Sequence, residues 1–188
     1  MNLAIFGGTF DPIHCAHLAV AAKAAECFDL QRVLFVPAAR PPHKPEDTRA
    51  PYEDRYRMVE LACRGIAAFE ASRLEANTAR SYSIDTIEKL QATLTAGDRL
   101  FFLIGADAFA EIETWRRWED VVRSVEFIVA SRPGHVYATP AGAAVHRLED
   151  VAFHTSSSEI RRRLARGESP AEVPPAVLEY IRSHGLYR

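Results

Sequence analysis

The stretch LAIFGGTFDPIHCAHL, Leu3 to Leu18, decides how the rest of the chain is read. Leu3-Ala4-Ile5-Phe6 is an apolar run that stops at Gly7-Gly8, the pattern of a buried strand ending in a turn. The alanine-rich segment from Ala16 to Phe28 predicts a helix. Two glycines at the turn let the backbone approach a ligand closely. His14 and His17 stand three residues apart where the helix begins, which puts both imidazoles on one side of its first turn. Backbone N–H groups at such a helix end favour an anion. Glycines, helix start and paired imidazoles together predict a phosphate site, although neither GxxxxGK[ST] nor the full GxGxxG pattern is present.

Outward from this stretch the chain alternates. Arg32 to Pro37 (RVLFVP) reads as a second strand, Pro41 to Arg49 as a polar, proline-rich loop, and Pro51 to about Gly65 as a helix. Ser83 to Leu94 carries Ile84, Ile87, Leu90 and Leu94 at helical spacing. Leu100 to Ile104 (LFFLI) has the unbroken apolarity of a central parallel strand and ends at Gly105-Ala106-Asp107. Glu126 to Ala130 is a further strand, and Val145 to Phe153 one or two short ones. Ser157 to Arg166 and Pro175 to Ser183 are the last helices. Strand and helix in turn predict an α/β fold, a parallel sheet with crossover helices. In such sheets ligands bind beyond the carboxyl ends of the strands, where Gly7-Gly8-Thr9, Pro37 to Lys44 and Gly105-Ala106-Asp107 all fall.

Composition narrows the function. The 188 residues are 48% hydrophobic and 26% charged, ordinary for a globular protein. Lys plus Arg is 23 and Asp plus Glu is 25, a formal net charge of −2, which argues against a protein whose main task is coating nucleic acid. Cys15, Cys27 and Cys63 contain no CxxC pair, so neither a disulfide framework nor a cysteine zinc site is expected. No apolar run approaches the roughly 20 residues of a membrane span. The chain starts with a strand and a glycine pair rather than the form of a signal peptide, so the expected location is the cytoplasm.

Further clusters carry chemistry. In TSSSEIRRRL, Thr155 to Leu164, Ser156 and Glu159 fit a capping box and Gly167 suits the helix stop. Hydroxyls, helix-end N–H groups and a guanidinium make a second anion site. Arg161, Arg162 and Arg163 step round the helix and cannot all face one ligand, and Arg161 lies nearest the hydroxyls. In Pro41-Pro42-His43-Lys44 the prolines stiffen a loop from which Lys44 could reach a phosphate. Trp115 and Arg116, within ETWRRWE, could present an aromatic face to a flat cationic ring, whereas Trp118 reads as a core residue. Arg80-Ser81-Tyr82-Ser83 precedes a helix and could supply N–H groups to a carboxylate or simply cap it. Cys15 reads as a reactive thiol at a helix start or as a packed small residue. Two anion sites at opposite ends of one α/β domain, joined by paired histidines, suggest nucleotidyl transfer.

At this point the chain resembles the bacterial nicotinate-nucleotide adenylyltransferases of the HxGH nucleotidyltransferase superfamily. GGTFDPIHCAHL resembles GGTFDPxHxGHL, with Ala16 in place of the motif glycine. PPHK matches a mobile loop, SYSIDTI resembles SYTxxTL, FFLIGADAFAEIETW resembles a strand, GxD turn and tryptophan segment, TSSSEIR resembles ISSTxIR, and VPPAVLEYIRSHGLY matches the family tail.

The resemblance implies a Rossmann-like parallel sheet with helices on both faces, in one domain over 1–188 with the C-terminal helices, about 155–188, packed on it. It implies transfer of an adenylyl group from ATP to nicotinate mononucleotide in NAD biosynthesis. By the same resemblance Gly8, Thr9, Phe10, His14, His17, Gly105, Asp107, Ser157, Ser158 and Arg161 bind ATP. Thr9, Lys44, Ser83, Ile84, Trp115 and Arg116 bind the mononucleotide. His14, His17, Lys44 and Arg161 serve catalysis. Mg²⁺ enters with ATP and takes no metal site of the protein's own. The alternatives are the amide substrate, nicotinamide mononucleotide, and a nucleotide sensor without catalysis. RNA binding through Arg161 to Arg166 fits the charge balance poorly, no membrane partner is expected, and a homo-oligomer is left open.

Overall fold

The computed structural model describes residues 1–188 apart from 41–47, 77, 79, 132, 133, 135 and 150–154. Among the described residues six strands form one sheet: β1 (Asn2–Gly8), β2 (Arg32–Pro37), β3 (Phe69–Ala71), β4 (Arg99–Gly105), β5 (Glu126–Ala130) and β6 (Ala144–Leu148). Every pairing is parallel, in the order β3-β2-β1-β4-β5-β6. The helices are α1 (Cys15–Cys27), α2 (Tyr52–Cys63), α3 (Ser83–Gln91), α4 (Ala106–Ala110), α5 (Trp118–Ser124), α6 (Ser157–Ala165) and α7 (Pro175–Ser183).

Side-chain alternation along the strands divides the core into two apolar layers. Ala4 and Phe6 of β1, and Phe101 and Leu103 of β4, bury against α1, α2, α6 and α7 through Val20, Ala24, Met58, Ile160 and Val177. Leu3 and Ile5, with Leu100, Phe102 and Ile104, bury against α3, α4 and α5 through Ile84, Ile87, Phe109 and Val121. Helices on both faces are what the unbroken apolar strands required.

Most expected elements stand within a few residues of their sequence positions. β3 is additional, a three-residue edge strand with only Phe69 buried, and α4 and α5 are short helices absent from the sequence reading. Of the expected strand region Val145 to Phe153, β6 accounts for the first part and 150–154 lie outside the described residues. Strand order reverses between β1 and β4, which opens a crevice beyond their carboxyl ends, at Gly8 and Gly105.

Candidate active site

The turn after β1 is built around a phenylalanine. Phe10 has a left-handed backbone, φ 50°, and is only 3% exposed. Its ring meets Phe6 edge-on at 5.6 Å, tilts on Phe35 at 5.8 Å and meets His17 edge-on at 5.1 Å. A Cβ on Gly8 would stand 3.0 to 3.3 Å from three atoms of that ring, tighter than ordinary packing, so the ring would have to give by a few tenths of an ångström. The second glycine therefore makes room for a protein ring beneath His17, and it also borders a cavity described below. Gly7 is not so constrained, since its Cβ would find Phe102 at 3.7 Å.

His14 is the N-cap of α1 and His17 lies in its first turn, with their rings stacked at 3.7 Å and 27°. The backbone N–H of His14 donates to Nδ1 of His17 at 3.2 Å. That leaves the neutral ring's proton on Nε2. Burial pushes the His14 imidazole down to about 4, against the opposing pull of Glu172. Burial, then the neighbouring His14, holds His17 well below its ordinary value. Near neutral pH this pair consequently offers N–H donors without net charge. His14 Nδ1 is buried with no hydrogen-bond partner among the described residues.

The second anion cluster is folded onto the first. Ser157 Oγ donates to the Pro12 carbonyl at 3.0 Å and Arg161 Nη1 to the Asp11 carbonyl at 2.8 Å. The two clusters expected at opposite ends of the domain thus line one cavity of about 250 Å³, with Thr9, Phe10, Asp11, His17, Ser158 and Arg161 in its wall. Ser157 also lines it, with its hydroxyl donating to Pro12, and the Ser158 hydroxyl shares a hydrogen bond with that of Ser156 at 3.1 Å in which either can be the donor. Ser156 caps α6 by accepting from the N–H of Glu159 at 3.3 Å, as its spacing indicated, and Gly167 closes the helix at φ 78°.

A second cavity, about 390 Å³, adjoins the first at Thr9, which lines both. Phe102, Ile104 and Trp115 give it an apolar wall, and Gly8, Ser83 and Arg116 border it. Trp115 packs edge-on against Phe102 at 5.8 Å, and the Arg116 guanidinium lies over the Tyr82 ring at 4.7 Å. Ser83 opens α3, with Tyr82 as an N-cap that makes no side-chain capping bond. Ile84 does not line this cavity, and at 1% exposure its side chain lies in the core. Gly105 ends β4 and Asp107 lies in the first turn of α4, and neither lines either cavity. Lys44 lies outside the described residues. A larger groove of about 860 Å³ between α2 and α7 holds none of these groups.

Several site residues gave no sequence signal. Asp11, 1% exposed, accepts from the N–H of Arg49 at 2.6 Å and of Ala50 at 3.1 Å, and from the Tyr187 hydroxyl at 2.5 Å. Arg55, equally buried, braces the turn by donating to the carbonyls of Thr9 at 2.7 Å and Ala50 at 3.1 Å. The buried Glu75 accepts from the Thr86 hydroxyl at 2.7 Å in the wall of the second cavity. An arginine within a polar helix pattern looks solvated, and only the position of Asp11 inside the glycine-turn motif could have drawn attention to it. Cys15 is exposed rather than packed, and burial of its sulfur followed by Glu172 raises the thiol, the reverse of activation.

Among the described residues no three His, Cys, Asp or Glu side chains converge as a metal site, and no helix is long and apolar enough to cross a membrane. Asp11, the carboxylate in the wall of the first cavity, has both oxygens occupied by protein donors.

Comparison with known proteins agrees with this geometry. Residues 5–163 match the cytidylyltransferase-like family. A protein of Solibacter usitatus named probable nicotinate-nucleotide adenylyltransferase is 65% identical over the whole of both chains. One of the same name from Thermus thermophilus is 44% identical, again over the whole of both chains. The solved structure of a nicotinic acid mononucleotide adenylyltransferase of Plasmodium falciparum, complexed with NaAD, superimposes with a TM-score of 0.80 at 22% identity, covering 99% of this chain and 97% of that one. At that identity the structural match speaks for the fold.

Proposed function

The chain belongs to the cytidylyltransferase-like family and, within it, to the nicotinate-nucleotide adenylyltransferases, and from that premise we propose how its two cavities share the work. The reaction is ATP plus nicotinate mononucleotide giving nicotinate adenine dinucleotide and pyrophosphate. The observation that carries the reading is the junction at Thr9 of a small cavity lined by N–H, O–H and guanidinium donors with an apolar, aromatic-walled one. The first suits a polyphosphate and the second a flat ring.

In this reading an oxygen of the mononucleotide phosphate attacks the α-phosphorus of ATP. The bond to the bridging oxygen breaks and pyrophosphate leaves with that electron pair. The attacking phosphate is ionised near neutral pH, so the protein need not remove a proton. Its contribution is positioning and stabilisation of developing charge. His17 would donate from Nε2 to the α-phosphate, with His14 stacked behind it. Ser158 and Arg161 would hold the β- and γ-phosphates, Ser157 supporting them through α6. Lys44 would supply a cation to the triphosphate. Gly8, Thr9 and Phe10 would meet the nucleotides by their backbone, and Gly105 and Asp107 the adenosine side. Mg²⁺, whose ligands would be phosphate oxygens and water given the occupied oxygens of Asp11, neutralises phosphate charge when bound.

Trp115 would face the pyridinium ring, and the N–H groups of Ser83, Ile84 and Arg116 its carboxylate. The three free cysteines fit a reducing cytoplasm as the place of reaction. The test is His17→Ala, expected to lower turnover by about 10²–10⁴-fold with a much smaller loss of ATP affinity. Turnover near wild type would remove His17 from the mechanism.

A further inference from the structure

Tyr187, one residue from the end of the described chain, is tied to the turn that opens the molecule. Its hydroxyl donates at 2.5 Å to Oδ1 of Asp11, 176 residues away. Its backbone is left-handed, φ 62°, a conformation uncommon for a bulky side chain and held only where surrounding contacts determine it. Burial, then the facing Asp11 carboxylate, raises the phenol above its ordinary range, so it remains a donor throughout neutral pH.

The partner makes this bond matter. Asp11 is a buried carboxylate in the wall of a cavity whose other groups suit an anion. Left to itself, such a charge competes with phosphate for the nearest cation. Among the described residues that cation is Arg161, whose Nη1 donates to the Asp11 carbonyl at 2.8 Å and already forms a long ion pair with Oδ2 of the same residue at 3.9 Å. A small rotation would shorten that pair and draw the guanidinium further toward Asp11. Oδ2 is occupied by the N–H of Arg49, and Oδ1 by the N–H of Ala50 and the Tyr187 hydroxyl. Among these donors Tyr187 alone acts through a side chain.

We propose that Tyr187 is a positioning residue for the triphosphate end of the site: by donating to Asp11 it keeps that carboxylate from drawing Arg161 away from the β- and γ-phosphates. The proposal rests on the nucleotide reading above and adds to it a control point at the C-terminal tail, outside both cavities.

The test is Tyr187→Phe, which removes the hydroxyl and keeps the ring, with ATP and AMP binding measured by calorimetry. ATP binding weakens about 3- to 10-fold, the partial loss of one charge-assisted contact, while AMP binding holds within about twofold. In turnover assays KM for ATP rises and kcat at saturation stays within about twofold. In an Arg161→Ala background Tyr187→Phe adds no further loss, because the group it positions is gone. A purely structural role would weaken ATP and AMP equally and add to Arg161→Ala. Either result overturns the proposal. Failure of the wild-type protein to bind ATP at all would instead overturn the nucleotide reading beneath it.

Discussion

Gly8→Ala should injure the site through packing rather than through the ligand. The new methyl would lie 3.0 Å from Cζ of Phe10, 3.1 Å from Cε1 and 3.3 Å from Cε2. Relief of several tenths of an ångström is needed, and the ring cannot supply it alone. Phe6 and Phe35 flank it at 5.6 and 5.8 Å, and the whole residue is 3% exposed. The remaining direction is toward His17, whose imidazole meets the ring at 5.1 Å. Overpacking of this kind costs about 1–3 kcal/mol, or about 2 to 12 °C in melting temperature for a chain of this size. A shift of a few tenths of an ångström at His17 should lower kcat by about 3- to 10-fold, given that misplacement by a full ångström costs about 10²-fold.

Gly7→Ala is the matched comparison. Its methyl meets only Phe102 Cζ at an ordinary 3.7 Å, so the melting temperature should stay within about 2 °C of wild type. Thermal melting of both variants, with pyrophosphate release for Gly8→Ala, decides the matter. Equal melting temperatures for the two variants, or a Gly8→Ala protein with wild-type kcat, would refute the placement of the Phe10 ring as the link between glycine and histidine.

Arg161→Ala should weaken ATP binding at least about tenfold more than AMP binding, because AMP lacks the phosphates the guanidinium would hold. Arg162, 72% exposed and paired only with Glu159 among the described residues, is the suitable control and should change neither. Arg163 is unsuitable, since it joins Glu168 and Glu172, and the Glu172 carbonyl accepts from the N–H of Cys15 at the head of α1. The buried His14 predicts a pH dependence of stability. Its imidazole takes a proton at about 4 when folded and near 6.5 when unfolded, so below 6.5 the unfolded chain binds more protons. Stability is therefore complete above pH 6.5 and falls as pH drops toward 4, by about 3 kcal/mol at most from this group. Denaturant midpoints across that window should be flatter in His14→Gln, and an unchanged slope would show that His14 is not buried neutral.

The parts of this molecule legible in its sequence are those written in local pattern. β2 and β5 fall at the residues where unbroken apolar runs meet turn signals, and α7 starts at its proline. β3 was not legible because Phe-Glu-Ala is too short to alternate and one buried residue sets no period. α5 was hidden in a polar run whose Trp118 read correctly as core-packed but whose φ 53° break at Arg117 has no sequence signature. The histidine pair was legible because helical spacing fixes its geometry. The convergence of Ser158 and Arg161 with that pair was not, since it depends on hydrogen bonds between residues 145 and 150 positions apart. Asp11, Arg55 and Tyr187 escaped because buried polar groups earn their place through partners, and partners are a property of the fold.

The central claim is that donors around the second cavity choose the acid mononucleotide. A carboxylate accepts at both oxygens, whereas a carboxamide turns an NH₂ toward N–H groups and leaves polar atoms unpaired, at about 1–3 kcal/mol each. Two such mismatches predict that pyrophosphate release from ATP, measured as kcat/KM with nicotinate and with nicotinamide mononucleotide, favours the acid by about 10²–10⁴-fold. A ratio near one, or a preference for the amide, would contradict the account at its base.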